Sequence, residues 1–272
     1  MAEPLNLRRL AIMPTLKCTL RCKLCSNYMT MFGDVGHVPV DELTRDVNRI
    51  FELIDHTEWL QFVGGEIFMR RDLDTLYEHC LTFKSRFDKL ILITNATLLP
   101  SENDIAAFRK YGEDIQIQIS DYGVYSPRVA DMAALLELNS IPHVVKRYHG
   151  DMQHYGGWVD NTRFAERGKS EEALREQFEH CGQVAMRNFH MYRGKLHGCA
   201  RSLMAAALGK ITPAPRDELD LYDPAETDEE KREKIRHFND FPRVSCRSCI
   251  SFGEHVERFA AAEQVKNGER NV

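Results

Sequence analysis

The stretch RRLAIMPTLKCTLRCKLC, residues 8–25, places a short apolar run directly before three cysteines. Residues 8–14 are predicted to form a β-strand, because the run has strand length and ends at a proline. Cys18, Cys22 and Cys25 follow in the pattern Cys-x3-Cys-x2-Cys. In parallel sheets the chemistry lies at the carboxyl ends of the strands. This loop is therefore the first candidate for a functional site.

The same strand pattern recurs downstream, separated by stretches with helical periodicity. Strands are predicted at 8–14, 59–63, 89–94, 114–120 and 142–148, and helices at 41–56, 72–85, 101–111 and 127–139. Asp41 is expected to cap the first helix, and Ser101 with Asp104 to form a capping box at the third. The alternation indicates an α/β fold with a parallel sheet, as a partial or complete (β/α) barrel or an open doubly wound sheet.

The alternation of strands and helices ends near residue 150. Residues 149–170 read as a long polar and aromatic loop, and such loops in compact domains are usually functional or disordered. Residues 181–202 predict two short strands that turn at Arg193 and Gly194, then a helix from about residue 200. Residues 212–234 predict linker and helix, and a terminal helix is predicted over 253–266.

The composition is that of an ordinary globular protein. The chain has 272 residues, 43% of them hydrophobic and 28% charged, with a formal net charge of −5. No basic run predicts nucleic-acid binding, and no apolar run approaches the roughly 18 residues of a membrane span. The N-terminus lacks a signal-peptide core, so we expect a cytoplasmic protein. Eight cysteines in that compartment favour metal or redox chemistry over disulfides.

The eight cysteines fall into three sets. Cys18, Cys22 and Cys25 can hold three corners of an iron–sulfur cubane and leave the fourth iron open; partial zinc ligation or simple burial is the alternative. Cys80 shares one helical face with Leu73, Leu76 and Tyr77 and is predicted to be a packed core thiol. The last set consists of Cys181, Cys199, Cys246 and Cys249. Four cysteines can ligate a zinc ion or a second iron–sulfur cluster, and their spacing alone does not distinguish the two.

The segment CTLRCKLC, residues 18–25, resembles the cysteine signature of radical S-adenosylmethionine (SAM) enzymes. The resemblance implies a [4Fe–4S] cluster whose open iron is chelated by SAM. It also implies that an electron from the cluster cleaves SAM to a 5′-deoxyadenosyl radical, which takes a hydrogen atom from the substrate. Leu24 stands where the family usually has an aromatic residue, and it still supplies an apolar wall.

Further residues are implied by the same resemblance. VGGEIF, residues 63–68, is similar to the family element that binds the methionine amine, which implicates Gly64, Gly65 and Glu66. The polar residues at the ends of strands three and four are similar to those that contact SAM in relatives: Asn95, Ser120 and Asp121. At the end of strand five, Lys146 or Arg147 is expected to meet the methionine carboxylate or the substrate, or else to be solvated.

The second half also carries a resemblance. YRGKLHGC, residues 192–199, is similar to the hairpin and cysteine of the small auxiliary-cluster (twitch) domain. The spacings of the last four cysteines resemble those of the 2-deoxy-scyllo-inosamine dehydrogenase family of natural-product biosynthesis. The resemblance implies a partial (β/α)6-type TIM barrel over residues 1–170. It implies a second [4Fe–4S] cluster, in a twitch-like domain with a C-terminal helix, over residues 171–272.

The implied activity is oxidation. A second cluster with four protein ligands has no open iron for substrate, so its expected task is to accept an electron. This predicts a radical SAM dehydrogenase that converts a secondary alcohol of a sugar or amino-cyclitol to a ketone. A single-electron donor such as flavodoxin or ferredoxin is an expected partner. Arg163 is the first candidate to contact substrate, followed by Trp158 and Asp160. The alternative for Arg163 is a surface ion pair. The alternatives for Trp158 and Asp160 are a loop anchor and a turn cap.

Three other functions stay open. A sugar epimerase would need a hydrogen donor such as a thiol, and Cys80 is the only cysteine not assigned to a cluster. A peptide-modifying enzyme often has a leader-binding domain before the barrel, and Cys18 stands early for one. A non-catalytic zinc protein would use only the last four cysteines.

Overall fold

The structure is a computed structural model that describes residues 3–251 and 256–266. Eight strands form one sheet: β1 Asn6–Thr15, β2 His56–Gly64, β3 Phe87–Thr94, β4 Ile115–Asp121, β5 His143–Arg147, β6 Asn188–Tyr192, β7 Lys195–His197 and β8 Leu219–Asp220. Their order is β5-β4-β3-β2-β1-β6-β7-β8, parallel from β5 to β6 and antiparallel beyond. β5 and β8 end the sheet, so it is open, and the fold is the expected α/β partial barrel.

Helices connect and follow these strands. The α-helices are α1 Val40–Leu53, α2 Leu73–Cys80, α3 Glu102–Arg109, α4 Val129–Leu138, α5 Glu171–Glu179, α6 Gly182–Ala185, α7 Ala200–Ala207 and α8 Asp228–His237. Short 3-10 helices span Met29–Met31, Ile67–Met69, Leu81–Arg86, Gly112–Asp114, Gly123–Tyr125, His154–Gly156 and Val244–Arg247. No helix in the described residues is long and apolar enough to cross a membrane.

The five predicted strands and four predicted helices of the first half are confirmed, with two corrections. The capping box of Ser101 and Asp104 is present at α3. The cap at Asp41 is wrong, because Pro39 occupies the N-cap of α1 and Asp41 lies in its first turn. The second helix is shorter than the predicted range of 72–85, since α2 ends at Cys80 and the chain continues as a 3-10 helix.

The hairpin predicted in the second half is confirmed and extends the main sheet. β6 pairs in parallel with β1, so residues after 170 build onto the same sheet as residues before it. The division into two domains at residue 170 stays a prediction. The predicted terminal helix is wrong over residues 256–266, which form isolated bridges to earlier loops, and residues 253–255 lie outside the described part of the chain.

The main core lies between the sheet and α1–α4. Leu10 and Ile12 of β1 alternate with residues on the opposite face, and both are fully buried. On α1, Leu43, Val47 and Ile50 recur at helical spacing and are buried against this face. A second apolar cluster packs under the cysteine loop: Met13, Leu16, Tyr28, Met29, Leu203 and Met204. The sheet therefore presents the ends of β1–β4 to one functional edge.

Candidate functional site

The three-cysteine loop begins at the carboxyl end of β1. Cys22 is buried, and Cys18 and Cys25 are half-buried. The Cys18 sulfur accepts hydrogen bonds from Leu20 N and Asn95 Nδ2, both at 3.5 Å. Backbone N–H groups of the following residues interact with the Cys25 sulfur: Asn27, Tyr28 and Met29. N–H groups directed at sulfur stabilise thiolates, so the loop fits a group bound through three of them.

Burial controls the protonation of these sulfurs. It raises the pKa of Cys18 to about 11 and that of Cys22 to about 12, and Cys25 adds to both shifts. A group that binds the sulfurs as thiolates must therefore displace protons and supply positive charge. Among the described residues, no three His, Cys, Asp or Glu side chains are grouped as the site of a single metal ion would require.

Two glycines bring the end of β2 against the cysteine loop. Gly65 N donates to Thr15 O at 2.9 Å, and Glu66 N donates to Lys17 O at 2.8 Å. A Cβ on Gly65 would lie 1.9 Å from Lys17 O, and one on Gly64, whose φ is +132°, would lie 2.4 Å from Thr15 O. Only glycine permits this approach. The two glycines therefore hold the loop on β2, and their contact with SAM stays a prediction.

Glu66 ties the end of β2 to the end of β3. It is fully buried, and its Oε1 accepts from Phe68 N at 3.1 Å and Thr94 Oγ1 at 2.8 Å. Its Oε2 accepts from Asn95 N at 2.8 Å. Burial raises the pKa of Glu66 to about 7 against an ordinary 4.5. Both carboxylate oxygens are thus bonded within the protein, which makes Glu66 a connector between strands; contact with the methionine amine stays a prediction.

Above about pH 7, where Glu66 is ionised, Glu66→Gln is expected to weaken this connection by about 1–3 kcal/mol, because the amide would turn an N–H toward a donor. It is also expected to change the pH dependence of the free energy of unfolding. The folded-state pKa is raised, so the stability from the protonated carboxyl is complete below pH 4.5 and is lost as pH rises to about 7, by about 1.4 kcal/mol per unit. Urea unfolding from pH 5 to 8 should show this slope in the wild type. An equal slope in the variant would contradict the assignment.

Asn95 is brought to the cysteine loop, in agreement with its predicted position at the end of β3. Besides its backbone bond to Glu66, its Nδ2 donates to the Cys18 sulfur and, at 3.2 Å, to Thr19 Oγ1. Its Oδ1 accepts from Thr97 N at 3.0 Å. The side chain is 8% exposed. Asn95 therefore contacts the candidate cluster ligand directly, and a contact with SAM stays a prediction.

Ser120 and Asp121 lie at the end of β4. Ser120 is buried, and its carbonyl accepts from Ser126 Oγ at 3.1 Å. Asp121 Oδ1 accepts from Gly123 N at 2.8 Å, and Oδ2 pairs with His149 Nε2 at 3.1 Å. Asp121 therefore holds together the loops that follow β4 and β5. Contacts of Ser120 and Asp121 with SAM stay predictions.

Lys146 and Arg147 point to opposite faces of β5. Lys146 is half-buried and opposite Ser120 in the β4 register, whereas Arg147 is exposed and opposite Asp121. Burial and the nearby charge of Arg9 lower the pKa of Lys146. Lys146 therefore shares the Ser120 face of the sheet, and the predicted SAM contact of Arg147 stays untested.

The loop after β5 is anchored by aromatic contacts. Trp158 meets Tyr122 edge to face with ring centroids 5.6 Å apart, and its backbone pairs with Phe259. Burial raises the pKa of Tyr122 and the Cys22 and Cys25 sulfurs add to the shift, so Tyr122 lies beside the cysteine loop. The observed contacts of Trp158 are those of a loop anchor, and stacking on a substrate stays a prediction.

Asp160 and Arg163 follow in the same loop. Asp160 Oδ1 accepts from Thr162 N at 2.9 Å and Oγ1 at 2.6 Å, which is a turn-capping arrangement. Arg163 is exposed, and its carbonyl accepts from Arg201 at 2.7 Å. The structure therefore fixes the backbone of Arg163, while its predicted substrate contact stays untested.

The four later cysteines are brought together. Cys181 and Cys199 stand at the N-caps of α6 and α7, and Cys246 and Cys249 lie in and after a 3-10 helix. Burial raises the pKa of Cys246 to about 12, and Cys199 adds to this shift. Both Cys199 and Cys181 raise the pKa of Cys249, whose sulfur also accepts from Ser251 N at 3.4 Å. Cys181, Cys199 and Cys246 thus each lie within electrostatic range of Cys249, and four thiols of this kind are chemically suited to a four-thiolate group.

Tyr28 connects the two cysteine sites. It follows Cys25 by three residues, and its hydroxyl contacts Arg201 and donates to Asn161 O at 3.2 Å. Its pKa is raised by burial, and Cys199 and Cys249 contribute. The first loop and the second site are therefore neighbours across one buried tyrosine.

The C-terminal segment contributes a contact that the sequence did not suggest. Gln264 Nε2 donates to the Cys22 sulfur at 3.5 Å, and its Oε1 accepts from Arg21 N at 2.7 Å. Two backbone hydrogen bonds join the same segments: Lys23 N donates to Glu263 O, and Val265 N donates to Arg21 O. The contact partners lie 242 residues apart, so no local pattern could reveal them.

Two cavities differ in position. One of 290 Å³ opens beside Cys18 and is lined by loop residues such as Lys17, Met29 and Phe32. A larger one of 480 Å³ lies at the amino ends of β1 and β2, beside Asn6 and His56. Because the chemistry of parallel sheets lies at the carboxyl ends, the cavity beside Cys18 is the relevant one.

Residues 12–121 match the family model of the Radical SAM superfamily. The matched segment runs from the middle of β1 to the end of β4 and is less than half of the chain. It includes the cysteine loop and both strand ends that hold it. The three thiols of the loop are of the type that holds an iron–sulfur cluster. No curated protein sequence matches the chain.

Three solved structures are similar to the chain. BtrN in complex with AdoMet and 2-DOIA is 11% identical, with a TM-score of 0.57 over 95% of this chain and 97% of BtrN. AnSMEcpe with bound AdoMet is 15% identical, with a TM-score of 0.52 over 86% and 80%. SuiB of Streptococcus suis bound to S-adenosylmethionine is 21% identical, with a TM-score of 0.44 over 56% and 35%; the chain thus spans about a third of SuiB. At these identities the likeness concerns the fold.

Proposed function

We propose that this protein is a radical SAM oxidoreductase that oxidises a secondary alcohol of a sugar or amino-cyclitol-like small molecule to a ketone. A [4Fe–4S] cluster with SAM at the first cysteine site and a second cluster at the later one would supply one-electron chemistry. The substrate would lose one hydrogen atom to a radical derived from SAM, one electron to the second cluster and the hydroxyl proton to solvent. A flavodoxin or ferredoxin is the proposed source of the electron that starts each turnover.

The observation that carries this proposal is the second cysteine site and its position. Cys199 and Cys249 interact electrostatically with Cys246, and Cys181 interacts with Cys249. A cluster bound by all four sulfurs would have no vacant ligand position for substrate. Tyr28 places that site beside the loop of Cys18, Cys22 and Cys25. An electron acceptor next to the site of hydrogen abstraction is what net oxidation requires. The similarity in fold to BtrN over nearly the whole of both chains is consistent with it.

The chain's own residues have three tasks in this proposal. The loop of Cys18, Cys22 and Cys25 holds the first cluster, with Asn95 and Gln264 donating to its sulfurs. Gly64, Gly65 and Glu66 fix the strand ends beside it. The loop of Trp158, Asp160 and Arg163 packs on Tyr122 through Trp158, and Arg163 is its proposed hydrogen-bonding group for substrate hydroxyls.

The test is anaerobic incubation of the reconstituted protein with SAM, a strong reductant and a panel of sugars and cyclitols. The panel should contain neutral, amino-bearing and phosphorylated members. The proposal predicts 5′-deoxyadenosine together with a product lighter by two hydrogens. A product of unchanged mass and inverted configuration would support epimerisation, and modification only of added peptides would support peptide maturation.

Cys80→Ala separates oxidation from thiol-dependent epimerisation. Cys80 is 0% exposed in the core between α2 and the sheet, which confirms the predicted packed thiol. The variant should turn over substrate at a rate within about twofold of the wild type. It should lose about 1 kcal/mol of stability from the lost packing, measured by urea unfolding. A folded Cys80→Ala variant without turnover would identify Cys80 as a hydrogen donor and favour the epimerase.

A further inference from the structure

Arg201 is a buried cation in α7, two residues after Cys199. It is 6% exposed, and its guanidinium donates to backbone carbonyls of Asn161 and Arg163 and to the hydroxyl of Ser248. The guanidinium also lies 5.0 Å from the centroid of the Phe164 ring, and its Nε is buried with no hydrogen-bond partner among the described residues. The groups that Arg201 contacts are thus neutral ones.

Two more cationic side chains, Lys169 and Arg243, lie near Cys246 and Cys249. Lys169 Nζ contacts the carbonyl of Cys249 and the side chain of Gln177. Arg243 is 3% exposed and donates to Phe238 O at 2.9 Å and Asn239 Oδ1 at 2.6 Å. Its guanidinium lies over the Phe178 ring, and its Nε also lacks a hydrogen-bond partner in the part of the chain that the structure describes. These contacts are with neutral groups as well.

Within residues 3–251 and 256–266, no carboxylate forms an ion pair with any of these three cations: Lys169, Arg201 and Arg243. This is unusual, because a buried charge without an opposite charge is strongly destabilising. All three cations lie beside the later cysteines instead. Lys169 Nζ contacts the carbonyl of Cys249, and Arg201 contacts the hydroxyl of Ser248, the neighbour of Cys249. The carbonyl of Arg243 accepts from Cys246 N at 2.9 Å.

We propose that Lys169, Arg201 and Arg243 form a cationic shell that supplies the counter-charge of the second cluster and raises its reduction potential. This inference rests on the proposed function. A cubane bound by four thiolates carries about two net negative charges, and one more after reduction. Fixed cations stabilise the more negative, reduced form. The shell therefore makes the second site the better electron acceptor for the substrate carbon radical, which loses one electron and the hydroxyl proton as the ketone forms.

Arg201 has a special place in the shell. It contacts the Tyr28 hydroxyl on the side of the first loop and Ser248, the neighbour of Cys249, on the other. It therefore stands between the two sites. Lys169 and Arg243 lie on the second site only. Arg201 is a positioning residue in this proposal, because it acts through the cluster.

The experiment is a redox titration of the reconstituted full chain, followed by electron paramagnetic resonance. SAM is added to distinguish the two clusters, because only a cluster with an open iron can bind it. Arg201→Gln and Lys169→Gln are compared with Arg201→Lys, which restores the charge, and with Arg109→Gln, which removes an exposed charge from α3. Iron, sulfide and zinc are counted for every variant.

Arg201→Gln should lower the equilibrium constant for reduction of the second cluster about tenfold, which is about 59 mV for one electron. Lys169→Gln should lower it less, because Lys169 is less buried, while Arg201→Lys and Arg109→Gln should stay near the wild type. Two loaded clusters with unchanged potentials in both glutamine variants would overturn the shell and leave the proposed function standing. Four irons per wild-type chain, with or without zinc, would overturn the second cluster and the shell together.

Discussion

Replacing Cys18, Cys22 and Cys25 with alanine is expected to abolish reductive cleavage of SAM, with 5′-deoxyadenosine falling at least about a thousandfold, to background. The reason is that these three sulfurs share one loop and each has its own N–H donors, so we assign them as the ligands of the first cluster. Iron and sulfide should fall from about eight to about four per chain, because the second site is built from other cysteines. Anaerobic chromatography of the products, with metal analysis, measures both.

The matched control is Cys246→Ala with Cys249→Ala. This double variant removes two ligands from the second site, so it should also lose about four irons. It should still cleave SAM and yet fail to produce the ketone. The assignment of the two sites would be reversed if the double variant lost SAM cleavage and the triple variant kept it.

Gly65→Ala is expected to have the largest effect of any change outside the cysteines. The new Cβ would lie 1.9 Å from Lys17 O, a backbone atom that cannot rotate away. The loop of Cys18 and the end of β2 must then separate, which costs about 1–3 kcal/mol or more of stability. Because the same displacement moves the Cys18 sulfur, the variant should also lose most of the first cluster. Urea unfolding and iron content measure the two effects.

Gly36→Ala is the control for Gly65→Ala. Gly36 lies in the segment between the cysteine loop and α1 and has no positive φ. A Cβ added to it would meet no heavy atom of the described residues within 4 Å. Alanine there should leave stability and iron content close to wild type. Equal behaviour of the two variants would mean that the contact between β2 and the cysteine loop does not position the cluster.

The first half of the fold was predictable because its signals are local. The apolar runs that became β1–β5 have strand length, and Ser101 with Asp104 is a short-range cap. The position of β6 was not predictable, because its partner β1 lies about 180 residues earlier and pairing order is a tertiary property. The wrong terminal helix has the same origin: within residues 256–266, Phe259 pairs with Trp158 and Gln264 with Cys22, and the segment is not helical.

The candidate site likewise contains residues that could be predicted from the sequence and residues that could not. The cysteines can be found by their spacing, and a glycine pair after a strand indicates close backbone approach. Gln264 and Arg201 carry no such pattern, because a glutamine near the C-terminus or an arginine in a helix is ordinary until its partners are seen. Their importance comes from contacts with Cys22, Tyr28 and Ser248 that only the folded chain creates.

The central claim is that the loop of Cys18, Cys22 and Cys25 holds a cluster with one open iron that takes SAM. The most direct measurement is the electron paramagnetic resonance spectrum of the anaerobically reconstituted, reduced protein, recorded before and after SAM is added. The account predicts a [4Fe–4S] signal that changes when SAM binds, in the wild type and in the Cys246→Ala, Cys249→Ala variant alike. A protein that takes up no iron at this loop, or a signal indifferent to SAM, would contradict it.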